Sequence, residues 1–253
     1  MMSKEEQQFI HRLIELSGKA YQRGIVTYSD FLDLNELNIL YSIPKDQLYT
    51  SFQLWGGYDL SERQMVAFIP DALCCDLNYP MIPLEISASN RKFAEELTHR
   101  DYLGAILNLG ITRNKIGDIL VTDSSSAIVF VRKSIADYIG KELLKVRHTM
   151  VSVSASSPED ISYSPRFEEI RGTVASLRLD SLLAIAFSAS RTKLTALIEA
   201  GRVFVNGRLI TSNGYQIKEG DIISVRKMGK FKYIESLSKT KKNRTFVLIH
   251  KYI

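Results

Sequence analysis

Arg178-Leu-Asp-Ser-Leu-Leu-Ala-Ile-Ala-Phe187, Ser188-Ala-Ser190, Arg191-Thr-Lys-Leu-Thr-Ala-Leu-Ile-Glu-Ala-Gly201 and Arg202-Val-Phe-Val205 follow one another in this 253-residue chain. Apolar residues recur at helical spacing in the first and third strings, and a serine-rich turn divides them. The pattern predicts a short helix, a turn and a second helix closed by Gly201. Asn206-Gly207 then separates Val203–Val205 from Arg208-Leu-Ile210. Both positions of such a turn need positive φ, so Asn-Gly between apolar runs signals a hairpin. Glu219-Gly-Asp221 makes a second turn into Ile222-Ile-Ser-Val225. Two helices and a small sheet are therefore expected from residue 178 onward.

On a helical wheel, Leu194, Leu197 and Ile198 form the buried stripe of the second helix. The same wheel puts Arg191 and Arg202 within about 20° of each other and about 16 Å apart, with Thr195 between them. Guanidinium forks grip phosphate oxygens in pairs, so two on one line suit contact along a nucleic-acid backbone. Arginines lying over apolar surface produce the same spacing.

The charge balance agrees with an anionic partner. Residues 171–253 hold 16 Lys/Arg against 5 Asp/Glu, a net +11, whereas residues 1–79 hold 6 against 11, a net −5. The whole chain is only +5, so the basic character is concentrated in the last third. Such a segment meets RNA, DNA or an acidic membrane surface. The longest apolar run, Leu182–Phe187, is six residues, far short of the ~20 a spanning helix needs. The start, Met1-Met2-Ser3-Lys4-Glu5-Glu6, has no apolar stretch of the secretory kind. Adjacent Cys74 and Cys75 suit a reducing cytosol and small core positions better than a disulfide. A cytoplasmic protein without membrane insertion is expected.

Working outward, residues 4–23 read as an amphipathic helix carrying Phe9, Ile10, Leu13, Ile14 and Leu16, with Gly24 as its cap. A shorter helix is expected near Asn35–Tyr41, and strands at 50–55 and 64–69 joined through Gly56-Gly57. In the middle, strand Pro83–Ser87, helix Asn90–Leu109, hairpin Asp118–Val121/Ala127–Val131, helix Ser134–Lys145 and strand Thr149–Val153 follow in βαββαβ order, the ferredoxin-like arrangement. RNA-recognition motifs share that topology, yet Ser126-Ala-Ile-Val-Phe-Val131 lacks their pattern of stacking aromatics. A scaffold or protein-facing role is expected for this part. Residues 151–170 then carry six serines and two prolines, the composition of a linker. The expected fold class is α+β in three small units: an acidic N-terminal α+β domain (1–79), a ferredoxin-like domain (80–155), a linker (156–177), and a C-terminal RNA-binding domain with a basic tail (178–253).

Arg178-Leu-Asp180, Ser190-Arg191, Leu197-Ile198, Gly201, Val203, Val205-Asn-Gly207 and Gly220-Asp221-Ile222 together resemble the αL RNA-binding domain. That domain takes its name from a small-subunit ribosomal protein and also occurs in tyrosyl-tRNA synthetases and pseudouridine synthases. The resemblance implies RNA contacts from Arg178, Ser190, Arg191, Lys193, Arg202, Asn206 and Arg208. Asp180, Gly201, Gly207, Gly220 and Asp221 then read as structural. Lys227, Lys230, Lys232, Lys239, Lys241, Lys242 and Arg244 would add sequence-independent attraction to phosphates. Gly56-Gly57-Tyr58, Glu62-Arg63, His99-Arg-Asp-Tyr-Leu-Gly-Ala-Ile-Leu and Gly117-Asp-Ile-Leu, ahead of that domain, are similar to the bacterial YlmH family. Membership implies ribosomal RNA or tRNA as partner, association with the large ribosomal subunit in handling obstructed peptidyl-tRNA, and a link to cell division. Quality-control or division proteins would meet residues 1–150.

Catalytic alternatives are weaker. Arg178-Leu-Asp180 resembles the pseudouridine-synthase triplet but is followed by Ser181-Leu-Leu-Ala184 rather than Thr/Ser-x-Gly. Ser190 and Lys193 have Ser-x-x-Lys spacing without its companion motifs. His99-Arg-Asp101 lacks the other kinase signatures. His11, His99, His148 and His250 are scattered, so no metal site is expected, and no glycine-rich phosphate loop is present. A non-enzymatic RNA-binding protein without cofactor is the expectation. The alternatives are an RNA-modifying enzyme targeted by the αL domain and a division scaffold for which RNA is incidental.

Overall fold

The computed structural model describes residues 3–59, 61–71, 77–156, 167–240 and 243–252. It divides into two compact units, residues 1–163 and 164–253. Cys74 and Cys75 lie outside the described residues.

The first unit begins with α1 (Lys4–Arg23). Ser3 Oγ accepts the Glu6 amide at 3.1 Å and the Glu6 carboxylate accepts the Ser3 amide at 2.8 Å, a reciprocal cap that satisfies two otherwise orphaned donors. A short β1 (Thr27–Tyr28) and α2 (Leu34–Ser42) follow; Asp33 and Glu36 repeat the capping box. β2 (Ser51–Trp55) and β3 (Met65–Ile69) complete an antiparallel sheet of order β1-β3-β2. Leu13, Leu37, Leu40, Val66 and Phe68 form the core between this sheet and its helices.

The middle stretch contributes β4 (Met81–Ala88), α3 (His99–Asn108), β5 (Ile116–Asp123), β6 (Ser126–Arg132), α4 (Lys133–Glu142), β7 (Lys145–Val146) and β8 (Thr149–Ala155). Its antiparallel sheet has the order β5-β6-β4-β8-β7. Apart from the extra β7, that is the strand order of a split βαββαβ motif. The expected helix over Asn90–Leu109 needs correction: it starts only at His99, after a single 3₁₀ turn at Arg91–Phe93. Residues between them bond elsewhere. The Leu97 amide donates to Ser124 O (2.8 Å) and the Glu95 amide to Thr149 Oγ1 (3.1 Å), which outweighs local helix propensity.

β3 is buried on both faces, because Met65 and Ala67 pack with Phe31, Tyr79, Leu120 and Phe130 of the larger sheet's side. Polar groups lock this contact. Asp118 on β5 accepts from Tyr58 Oη (2.9 Å) and from the amides of Glu62 (2.7 Å) and Arg63 (3.2 Å). Arg63 donates to the carbonyls of Ile116 (3.0 Å) and Phe31 (3.1 Å). Burial pushes the Asp118 carboxyl up and the Arg63 guanidinium down from their ordinary values, and pushes Arg113 down to about 10. Tyr58 stacks on Phe130 at 5.4 Å, and at Gly57, with φ +102°, a Cβ would collide with the Phe130 ring. The strings Gly56-Gly57-Tyr58, Glu62-Arg63 and Gly117-Asp118 thus form one internal latch.

The second unit holds β9 (Phe167–Val174), α5 (Leu179–Phe187), α6 (Arg191–Glu199), β10 (Val203–Val205), β11 (Arg208–Leu209), β12 (Ile222–Val225), β13 (Gly229–Lys239) and β14 (Thr245–Tyr252). The antiparallel sheet runs β11-β10-β12-β13-β14-β9. Leu179, Leu182, Leu183, Leu194 and Ile198 pack on one side of it against Val203, Val205, Ile223, Val225, Phe231, Tyr233, Val247 and Ile249. Two expectations are corrected here. The 156–177 linker contains an eight-residue edge strand, β9, paired along its whole length with β14; residues 157–166 lie outside the described residues. The basic tail is a long hairpin, β13–β14, whose Phe231 and Tyr233 are fully buried between exposed or half-exposed lysines. Lys241 and Lys242 lie outside the described residues.

Candidate nucleic-acid interface

The second unit's helices and loops position most of the candidate residues. Arg178 is the N-cap of α5, and its carbonyl accepts the Ser181 and Leu182 amides at 3.1 Å. Its guanidinium forms a fork with Asp180, Nε to Oδ1 and Nη2 to Oδ2, both 3.1 Å. The Leu179 amide donates to Tyr215 O (2.9 Å) and the Ile217 amide to Leu177 O (2.9 Å). These bonds pin the 213–217 loop beside the start of α5, with the Arg178 guanidinium over Gly214.

Ser190 is the N-cap of α6, its Oγ accepting the Lys193 amide at 3.4 Å. That bond gives its hydroxyl a structural task beside any RNA contact. Arg191 and Lys193 stand exposed on the first turn, where the unpaired amides and the helix dipole already favour an anion.

Arg202 does not lie on the helix, so the wheel argument is corrected. α6 ends at Glu199; the Gly201 amide donates to Ile198 O (3.1 Å) and the Arg202 amide to Leu197 O (3.0 Å). This is a Schellman stop, with Gly201 at φ +66°. Arg202 is exposed at the helix-to-strand corner.

Asn206 and Gly207 have φ +47° and +77°, and Val205 pairs with Arg208 across them, the two-residue turn expected. Asn206 also clamps the next turn: Nδ2 donates to Asp221 Oδ1 and Oδ1 accepts the Ile222 amide, each 2.8 Å. Asp221 Oδ2 accepts the Lys218 amide at 2.8 Å. The geometry therefore gives Asn206 a scaffold task, with Asp221 as its partner, beside the RNA contact expected of it. Gly220 sits in the same turn at φ +88°.

Arg208 is exposed and pairs across the ladder with buried Val205, and cross-strand partners share a face. It therefore emerges on the helix side of the sheet. Lys227, at φ +69°, is in the β12–β13 turn. Lys230 lies on the opposite side, its Nζ 4.7 Å from the centroid of the Tyr252 ring. Arg244 Nη2 donates to Thr173 O at 2.7 Å, tying the β13–β14 turn to β9.

Sequence reasoning passed over Arg226, whose guanidinium lies 5.2 Å from the Phe204 ring centroid, and the Phe167–His250 stack at 3.9 Å. The alternation Lys230-Phe-Lys-Tyr233 was the available signal for a half-buried strand here. In the first unit, Asp101 accepts from the Thr98 amide (2.9 Å) and hydroxyl (2.6 Å), so the His99-Arg-Asp101 triplet supplies a helix cap. Among the described residues, no cluster of three His, Cys, Asp or Glu could hold a metal, and no helix is long and apolar enough to cross a membrane.

A capped helix pair closed by a Schellman stop and a clamped Asn-Gly hairpin, bordered by exposed cations, defines an S4-type RNA-binding domain, and the S4 domain family matches residues 177–223. Residues 77–160 match a second family, described as "Putative RNA-binding domain in YlmH". With both domains in this order, the chain is similar to the YlmH family.

It is 29% identical over 245 residues to "Ribosome-associated protein quality control protein P2" of Bacillus subtilis (strain 168), covering 95% of this chain and 93% of that one. It is 40% identical over 50 residues to "Small ribosomal subunit protein uS4" of Thermosipho africanus (strain TCF52B), which is 19% of this chain and 24% of that protein. Among solved structures it resembles "Cell division protein ylmH from Streptococcus pneumoniae", with TM-score 0.52 and 25% identity over 64% of this chain and 98% of that chain. Of these matches, the description of the family at residues 77–160 names RNA binding, and the Bacillus subtilis relative is named as ribosome-associated.

Proposed function

We propose that this protein docks through its S4 domain on structured RNA of the ribosome, ribosomal RNA or tRNA at the large subunit, and serves translation quality control without catalysing a reaction. It works in the cytoplasm. The observation that supports this most directly is the placement of Arg191 and Lys193 at the exposed start of α6, with Arg208 on the same side of the sheet. Arg178, held by Asp180 against the 213–217 loop, offers a further oriented cation beside α5. The mechanism is positional: cations neutralise phosphates and the rigid helix pair selects the local RNA shape.

Residues 1–79 and 80–155 face proteins of quality control or cell division. The description of the family matched at 77–160 adds an RNA role to the central part, where Arg100, Lys145 and Arg147, the last also paired with Glu95 and Asp101, surround an open cleft of about 480 Å³. The name of the pneumococcal relative supports the division link.

Co-sedimentation of the full chain with ribosomal particles and free tRNA across a salt series tests the proposal. For ~4–6 phosphate contacts, log K against log salt has a slope of roughly −3 to −5. The Arg191→Glu/Lys193→Glu double variant keeps its fold, since acidic residues suit a helix start. It loses saturable binding to one particle class, with a slope flatter by about 2. Unchanged binding by that variant would move the contact face off α6.

A further inference from the structure

The second unit's sheet has two faces, and both of its helices lie on one of them. On the other, the ladder registers align one residue from every strand into a single row. Leu209 pairs with Phe204, Phe204 with Ser224, Ser224 with Lys230, and Tyr252 with Phe167. The Lys230 ammonium over the Tyr252 ring closes the row between β13 and β14. Cross-strand partners share a face, and the alternation confirms which: Val203, Val205, Phe231 and Ile249 are buried under the helices, while Phe204, Lys230 and Tyr252 are only part-covered. The row ends at both sheet edges in exposed apolar side chains, Leu209 at 49% and Phe167 at 43%.

Cations stand among the rings. Arg226 lies over Phe204, and Lys232 is the ladder partner of His250, which stacks on Phe167. Two acidic groups also reach this face: Glu169, 3.7 Å from His250 Nε2, and Glu235, the ladder partner of Leu248 further along β13. At about 4.8 Å per strand, Phe204 and Tyr252 are about 14 Å apart, a span that two or three unstacked nucleotides cover. Flat rings bracketed by positive charge are the chemistry that holds unpaired bases, with the rings stacking on bases and the cations meeting phosphates. A double helix, whose bases are already stacked, gains nothing from them.

The geometry points to a second RNA site on this sheet face, specific for single-stranded RNA and separate from the helix face. The helix face takes structured RNA through Arg191 and Lys193; the ring row takes an unpaired strand through Phe204 and Tyr252. This inference stands beside the proposed function and does not depend on it.

Fluorescence anisotropy on the full chain tests it with two labelled probes, a ten-nucleotide oligouridylate and a stable RNA hairpin. Phe204→Leu and Tyr252→Leu, made singly, keep apolar bulk in the sheet and remove a ring. Each weakens oligouridylate binding about tenfold or more, the scale of one lost base stack, and leaves hairpin binding unchanged. Arg191→Glu/Lys193→Glu does the opposite. The inference is overturned if the wild-type chain does not bind oligouridylate at low salt, or if both ring variants bind it as wild type does. Loss of hairpin binding alone bears on the helix face and leaves this site standing.

Discussion

In residues 1–163 the most conspicuous charged groups end inside the protein. Asp30 is 7% exposed and takes Lys115 and Arg132 at 2.8 Å and Arg12 at 3.5 Å, while Asp118, Arg63 and Arg113 sit in the latch beneath the two sheets. In residues 164–253 the corresponding groups, Arg191, Lys193, Arg202 and Arg208, stand in solvent. A charge count treats these alike. Burial separates them, because an ion leaves water only when partners replace its hydration, and those partners are then unavailable to a ligand. The first unit's ion pairs hold a fold together; these four cations of the second unit keep their hydration at its surface.

The largest expected effect comes from breaking the buried side of this contrast. Asp30→Ala leaves three cations facing each other without their carboxylate and lowers the stability of the first unit by about 3–5 kcal/mol. Denaturant unfolding followed by Trp55, the chain's single tryptophan, measures this, while hairpin-RNA binding stays unchanged in native buffer. A silent Asp30→Ala would mean that the network is ornamental and the contrast empty.

Asn206→Ala sharpens it from the other side. It removes two 2.8 Å bonds that join the hairpin turn to the next one, at a cost of about 1–3 kcal/mol. Faster hydrogen exchange at the Ile222 amide reports the loss. RNA affinity measured well below the melting temperature stays near wild type; a drop there without loss of exchange protection would make RNA contact the main task of Asn206.

The smallest effect is at Asp101, where hydrogen bonds from Thr98 hold the carboxyl below its ordinary 3.8. Because the folded-state value is the depressed one, the cap's contribution is complete above pH 3.8 and is lost as pH falls through that lower value. An NMR titration of the Asp101 carboxyl follows it, and a midpoint at or above the ordinary value contradicts the cap.

Four helices were the legible part of the fold, whereas α3 starts nine residues later than expected and α4 ends at Glu142, three residues before the expected Lys145. α1, α2, α5 and α6 begin and end within about a residue of where capping residues and glycines place them, because caps act over three or four residues and are written locally. The Asn206-Gly207 hairpin is legible for the same reason. β9 and β13–β14 were not. Phe167-Glu-Glu-Ile-Arg-Gly-Thr-Val174 has little apolar content, and it becomes a strand by bonding to β14, more than seventy residues away in sequence. The Lys/Arg content of residues 227–244 drew attention from the Phe231/Tyr233 alternation that anchors the hairpin.

The same division runs through the candidate site. The amino-acid sequence by itself determined where the helix pair starts and stops, which turns need positive φ, that the last third is basic, and which family it resembles. Only tertiary structure decided that Arg202 leaves the helix at a Schellman stop, that Asn206 clamps the next turn, and that Lys230 and Arg208 emerge on opposite faces of one sheet. The physical reason is range. Capping and turn preferences are satisfied by neighbours along the chain, whereas the face on which a strand residue emerges depends on its register with partners far away in sequence.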